Sequence, residues 1–480
     1  MENSKIYING KWKNSCKEEM IDVINPSNGD IVGRVPKAGA QETKEAIDSA
    51  HDAFKEWSSL PAQKRGQILQ KWAKLILENR DDIARTLTLE QGKPLSEALG
   101  EVGAAASFLE WYGEEAKRVY GEIIPASNSK KRIMVIRQAV GVVAAITPWN
   151  FPASMVTRKI APALAVGCTV VLKPASQTPL TAIKIVELAH QAGLPRGVVN
   201  MITGPANIIG QTLMEDKRVN KITFTGSTDV GKLLMKQSAH TIKRVSLELG
   251  GHAPYIVFAD ADIDKAVKEV MGAKIRNCGQ MCVAINRFYV HDSIMEEFLE
   301  KLRASFSQYK IGDGFEEGVH LGPLINKESY DKVNYHLEDA LNKGGQVFFG
   351  GRGYHRADTE KAGYFFEPTI LINVKDNMLI MKEETFGPII PIKSFGEEEE
   401  VIRAANNTNY GLAAYVFTQD LSRSIRVSEK LEYGIIGLND GTPSTVQAPF
   451  GGFKESGLGR EGGHHGLDAF LETKYISMGI

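Results

Sequence analysis

The sequence predicts an α/β protein with a parallel sheet followed by a second α/β domain, and three features carry that prediction. From about residue 133 to 238, short β-rich runs alternate with helical ones, the pattern of a parallel sheet covered on both faces. A second alternating block opens near residue 251. The length of 480 residues exceeds what one hydrophobic core supports, so the chain divides into two or three domains.

Residues 41–118 read as helices. "ETKEAIDSAHDAFKEW" and "KRGQILQKWAKLILENRDDIARTLTLEQG" place apolar side chains three and four residues apart. In the first alternating block, "MVIRQAVGVVAAITPWN", "CTVVLKP", "VVNMITG" and "KITFTGS" are the strands. "ASMVTRKIAPALAVG", opened by Pro152, is helical, as are "LTAIKIVELAHQAG" and "TDVGKLLMKQSAH". The second block has the strands "PYIVF", "RFYVH", "AAYVFTQD" and "GIIGLN", with "AVKEVMGAKIRN" and "IMEEFLEKLRASFSQY" as helices. The β-like tail "FLETKYISMGI" can pair with a hairpin near 122–140, forming a sheet extension suited to oligomerisation.

Composition excludes several functions. Hydrophobic residues are 43%, charged residues 24% and the formal net charge is -1, so neither a nucleic-acid nor a membrane surface is expected. The run "EEEE" at 397–400 reads as a solvated helix start. Four cysteines make no disulfide framework, which suits a reducing compartment. With neither a signal-like start nor an apolar stretch of spanning length, a cytoplasmic location is expected. No metal-ligand set is read from the sequence.

Several short stretches carry chemistry. In "FTGSTDVG", Gly226 permits a tight strand-to-helix turn, and Ser227 stands at a helix N-terminus that either holds a phosphate or is simply capped. In "VVLKPASQTP", Lys173 and Ser176 occupy the place where an NAD site carries an acidic residue. The alternative is a surface lysine before a proline turn. "LELGG" sets Glu248 between two leucines, where burial raises a carboxyl pKa toward that of a general base. A structural glutamate paired to a lysine is the other reading. "TPWNFP" braces Asn150 between Pro148 and Pro152 with its amide free to donate, either as an oxyanion ligand or as a helix cap. Cys16 and Cys168 read as small buried hydrophobes. Cys282 differs, because it lies in a Gly-Gln loop between a helix and a strand, where nucleophiles are presented.

"TPWNFP", "KPASQTP", "FTGSTDVG", "LELGG", "GQMC", "EETFGP" and "PFGGFKESGLGRE" occur in an order that resembles the aldehyde dehydrogenase superfamily, over nearly the full chain. "VTRK", "RNCGQMC", "DGFEEG", "LGPLIN" and "KESGLGREGG" are most similar to its succinate-semialdehyde dehydrogenases. The resemblance implies an α/β fold of three parts. These are a Rossmann-like cofactor domain (1–121 and 141–250), a catalytic α/β domain (251–450) and a small β oligomerisation element (122–140 and 451–480). It further implies that Cys282 is the nucleophile, that Asn150 and the Cys282 backbone N–H hold the oxyanion, and that Glu248 activates the hydrolytic water. Trp149, Lys173, Ser176, Gly226, Ser227, Glu384 and Phe386 are the implied contacts to NADP or NAD. Arg158, Arg276 and Ser444 are the implied contacts to a small aldehyde substrate with a distal carboxylate, the two arginines facing one pocket. The alternative is that both arginines are solvated or paired to acidic neighbours. A homodimer or homotetramer is expected. Cys278 falls where a small residue is common, and is either a buried thiol or an oxidisable partner of Cys282. Alternative substrates are lactaldehyde, glycolaldehyde, glutarate semialdehyde or a broad set of aldehydes. A catalytically retired structural or binding protein is the reading from another class. The presence of Glu248 disfavours acyl transfer to CoA.

Overall fold

The computed structural model describes residues 4–354 and 363–480. Four helices, Ala40–Ser59, Ala62–Glu78, Arg80–Gln91 and Leu95–Glu115, fill the stretch whose periodicity predicts them. The first sheet has eight strands. Its parallel centre runs in the order Val199–Met201, Thr169–Lys173, Val142–Ile146, Val219–Thr225 and Arg244–Glu248. Both faces are covered, which is why these strands are continuous apolar runs. Val143, Ala145, Val170 and Leu172 point into one core, and Val142, Ala144 and Val171 into the other.

The second sheet orders seven strands as Gln346–Phe349, Thr369–Ile372, Ile389–Phe395, Ile285–His291, Ala253–Val257, Ala413–Phe417 and Ile435–Leu438. All neighbours are parallel except the Gln346–Phe349 edge. The "EEEE" run does open a helix, Glu398–Asn406. No helix among the described residues is long and apolar enough to cross a membrane.

Four features differ from the sequence reading. Leu471–Gly479 pairs antiparallel with Lys131–Ala139, which pairs with Glu122–Ile124. Gly457–Leu458, however, joins the edge of the first sheet beside Leu247 and Glu248, and Leu467 and Phe470 enter the core below it. Phe453–Lys454 pairs instead with Tyr410–Gly411, so the segment 451–470 is held by the first sheet and by that short ladder rather than by the three-stranded sheet. The helix expected over "AVKEVMGAKIRN" runs regularly only from Ile263 to Val270, widens into a π turn over Met271–Ile275, and breaks. The helix after "TPWNFP" begins at Ser154, two residues past Pro152, because the Glu101 carboxylate accepts the Ala153 and Ser154 N–H groups. Cys16 is exposed, whereas Cys168 is buried.

Candidate active site

In the first sheet the chain adds strands outward on one side of Val142–Ile146, then returns to add Val219–Thr225 on the other. The crevice beyond the carboxyl ends at such a reversal is where open α/β sheets bind ligands. The register places Ile146 beside Lys173 and Thr225 beside Glu248, so all four lie on one rim. A cleft of about 320 Å³ opens at this rim. Trp149, Asn150, Gly226, Ser227, Cys282, Glu384 and Phe386 line it together.

Two glycines make the approach possible. A Cβ on Gly251 would sit 2.2 Å from the Cys282 carbonyl oxygen, so only glycine lets "LELGG" pass against the cysteine loop. A Cβ on Gly226 would meet the Phe224 ring at 2.4 Å. Just before Cys282 the backbone is strained, since Asn277 (φ 52°) and Cys278 (φ 55°) are both left-handed. Asparagine tolerates this conformation, but for a residue such as cysteine it costs on the order of 1–3 kcal/mol. Cys278 is 1% exposed and packs in the second core, where burial pushes its thiol up to about 12.

The Cys282 thiol is also held at about 12, by burial, with the Arg158 charge pulling the other way. The resting site therefore holds sulfur as thiol, and attack requires its proton to leave. Burial, reinforced by the Glu461 charge, raises the Glu248 carboxyl well above the usual carboxylate range. Among the described residues Glu248 Oε2 has no hydrogen-bond partner, which leaves an acceptor free for a water proton. The Asn150 amide is not wholly free, because Nδ2 donates to the Gln280 carbonyl at 2.9 Å. Its second amide hydrogen remains, and the Gln280 carbonyl fixes which end of the amide is the donor.

Lys173 is 4% exposed and donates to the Pro174 carbonyl at 3.0 Å, and burial alone brings its pKa down to about 8. A buried ammonium lacking a carboxylate partner among the described residues suits an incoming anion. Ser176 is near, donating to the Gly204 carbonyl at 3.4 Å. Ser227 caps the helix Thr228–Ser238 in extended conformation without bonding it through its side chain, so its hydroxyl is uncommitted. Glu384 Oε1 accepts the Gly251 N–H at 3.1 Å, and burial raises its pKa to about 7. Phe386 is left-handed (φ 56°) and meets the Trp149 ring edge-on, centroids 5.6 Å apart.

The substrate arginines differ from expectation. Arg158 is paired to a carboxylate, with Nε 2.9 Å from Glu461 Oε2, and lies 3.6 Å over the Phe450 ring. Arg158 is thus paired to an acidic neighbour, as the alternative reading of its spacing has it. Arg158 Nη2 is nonetheless buried without a hydrogen-bond partner. Arg276 lies over the Phe151 ring at 5.3 Å, and Ser444 is exposed on the loop after Leu438. None of these three lines the cleft that holds Cys282.

Sequence reasoning missed Glu461, which also binds Lys159 at 2.7 Å, and Lys332, which lines the cleft. It also missed Lys93, Glu101 and Asn277 behind Asn150. Lone polar residues in helices and tails give no periodic signal, although the glycine-rich "GLGRE" around Glu461 marks close backbone approach.

Residues 12–476 match the model of the aldehyde dehydrogenase family. The chain is 54% identical to the Escherichia coli (strain K12) succinate-semialdehyde dehydrogenase [NADP(+)] GabD, over 98% of this chain and 97% of that protein. It is 52% identical to the glutarate-semialdehyde dehydrogenase of Pseudomonas putida KT2440, over 99% and 97%. The crystal structure of an E. coli NADP-dependent enzyme superposes with a TM-score of 0.98 at 52% identity, covering 100% of this chain and 98% of that one. The chain belongs to the aldehyde dehydrogenase family.

Proposed function

We propose that the protein oxidises succinic semialdehyde to succinate with NADP or NAD, through a thiohemiacetal and then a thioester on Cys282. The observation that carries this is a thiol and an amide donor lining one cleft, with the buried Glu248 carboxyl on the same rim and close enough for its charge to act on the Cys282 thiol. The Cys282 thiol gives its proton to water in the cleft, and the sulfur adds to the aldehyde carbon. The carbonyl electrons move onto oxygen, where the Asn150 amide and the Cys282 N–H donate hydrogen bonds. The cofactor, when bound, supplies the hydride acceptor that makes the step an oxidation. Lys173 and Ser176 would hold its adenosine ribose end, Ser227 with the Gly226 turn the pyrophosphate, and Glu384, Phe386 and Trp149 the nicotinamide end. Glu248 then takes a proton from water, the oxygen attacks the thioester, and Cys282 leaves as thiolate, regaining its proton from Glu248. In this reading the first sheet serves as the cofactor domain and the second as the catalytic domain. The three-stranded sheet, with Ile123, Tyr475 and Ile480 exposed, serves as the oligomerisation surface.

For the substrate's distal carboxylate, Arg276, the unused Nη2 of Arg158 and the Ser444 hydroxyl are the proposed donors. A charge-assisted pair contributes roughly 1.5–3 kcal/mol. Arg276→Ala is therefore expected to lower kcat/KM for succinic semialdehyde by about one to two orders of magnitude, and that for butanal much less. Equal losses on both would remove the carboxylate contact. In the wild type, kcat/KM for succinic semialdehyde should exceed that for glutarate semialdehyde, the substrate class of the second relative. The reverse order would reassign the substrate.

Lys173 pairs with a 2'-phosphate, and Ser176 offers no carboxylate to repel it. NADP is therefore accepted, in keeping with the cofactor in the E. coli relative's name. One carboxylate–phosphate contact at partial exposure costs on the order of 1–2 kcal/mol, about tenfold in preference. Ser176→Glu should shift the ratio of kcat/KM values toward NAD by that factor, and an unchanged ratio would refute the contact.

A further inference from the structure

Behind Asn150 lies a buried polar network that the reaction as written does not use. The Asn150 carbonyl accepts Lys93 Nζ at 2.8 Å and Asn277 Nδ2 at 3.0 Å. Lys93 is paired to Glu101 at 2.5 Å, both side chains 1% exposed. The other Glu101 oxygen takes the Ala153 N–H at 2.8 Å and the Ser154 N–H at 3.2 Å. One ion pair thus grips the Asn150 segment at its carbonyl and at the helix start that follows.

Asn277 links this segment to the cysteine loop. Its Nδ2 also reaches the Gln280 carbonyl at 3.2 Å, the same oxygen that the Asn150 side chain binds. Its Oδ1 accepts Gln91 Nε2 at 2.9 Å and its N–H meets Glu97 Oε2 at 2.9 Å. Gln280 closes the ring, donating Nε2 to the Asn277 carbonyl at 3.1 Å. Asn277 is 2% exposed and left-handed, a backbone state that asparagine adopts at little cost. The oxyanion donor and the nucleophile come from different sheets, and their relative placement must hold to a fraction of an ångström for the reaction to profit.

We propose that Asn277 and the Lys93–Glu101 pair are positioning residues that register the Asn150 amide against Cys282. This rests on the reading of Asn150 as the oxyanion donor. Asn277→Gly keeps the left-handed backbone and deletes the side chain, and Lys93→Met removes the ammonium from the same carbonyl. Each should slow the acylation burst and kcat by about 10- to 100-fold, with KM for the aldehyde unchanged. Alkylation of Cys282 by iodoacetamide forms no oxyanion, so its rate should stay at the wild-type value. A merely structural role would change alkylation, KM and burst together, and that result overturns the proposal. Asn150→Ala separates the two layers. Loss of the burst in Asn150→Ala with a normal burst in Asn277→Gly and Lys93→Met rejects the positioning role alone. A normal burst in Asn150→Ala rejects the oxyanion reading itself.

Discussion

Cys282→Ala removes dehydrogenase activity, by at least about four orders of magnitude on the scale of nucleophile deletions in covalent enzymes. Cys278→Ala keeps most of it. The two thiols are four residues apart in sequence, and their surroundings separate them. Cys282 lines the cleft with Asn150 and Glu384, whereas Cys278 packs among the apolar side chains of the second core. Burial holds both thiols near 12, so acidity alone does not distinguish them. Access does, since Cys282 is part-exposed in the cleft and Cys278 is buried. Replacing Cys278 deletes one buried sulfur and costs about 1 kcal/mol of stability, not catalysis. Steady-state rates of both purified variants with matched melting temperatures check this. Equal loss in the two would reverse the assignment of roles.

How much of this was legible follows from the range of the forces involved. The parallel strands and the helices over 41–118 were readable because burial on both faces of a sheet, or on one face of a helix, writes a local period. The cleft residues were readable because glycine and proline mark places where the backbone must turn or approach closely, as at Gly226 and Gly251. Arg158 has no such local sign of its ion pair, for the opposite reason. Its spacing from Asn150 is local, but its partner Glu461 arrives from the tail of the chain, and no period announces a distant carboxylate. The break at Asn277 is the same case. Its apolar neighbours continue a helical pattern, and what overrides them is a set of hydrogen bonds, one accepted from Gln91 and two donated to Glu97 and to the Asn150 carbonyl. The helix at Ser154 begins without a local cap because Glu101, from another helix, supplies one.

Glu248→Gln stalls the enzyme after acylation. Glutamine keeps the shape and removes the proton acceptor, so Cys282 still adds to the aldehyde and the hydride still leaves. The thioester then waits for a water that nothing activates. Rapid mixing should show a stoichiometric burst of reduced cofactor followed by a steady rate lower by about 10²- to 10⁴-fold, the usual contribution of a general base. The pH profile carries the second half of the argument. Burial, and after it the Glu461 charge, raise the Glu248 carboxyl, and Arg158 and Lys159 only partly oppose them. A raised carboxyl is protonated, and useless as a base, up to a higher pH than an ordinary one. Wild-type turnover should therefore rise with pH through an acid limb set above the usual carboxylate range, wherever deacylation limits the rate. Glu248→Gln should lose that limb. Glu461 is the control: it is lowered below the ordinary range despite burial by the Lys159 and Arg158 charges, so it stays ionised and cannot supply the limb. A Glu248→Gln enzyme with no burst and a normal steady rate would take Glu248 out of the hydrolysis. One that keeps the acid limb would assign that titration to another group.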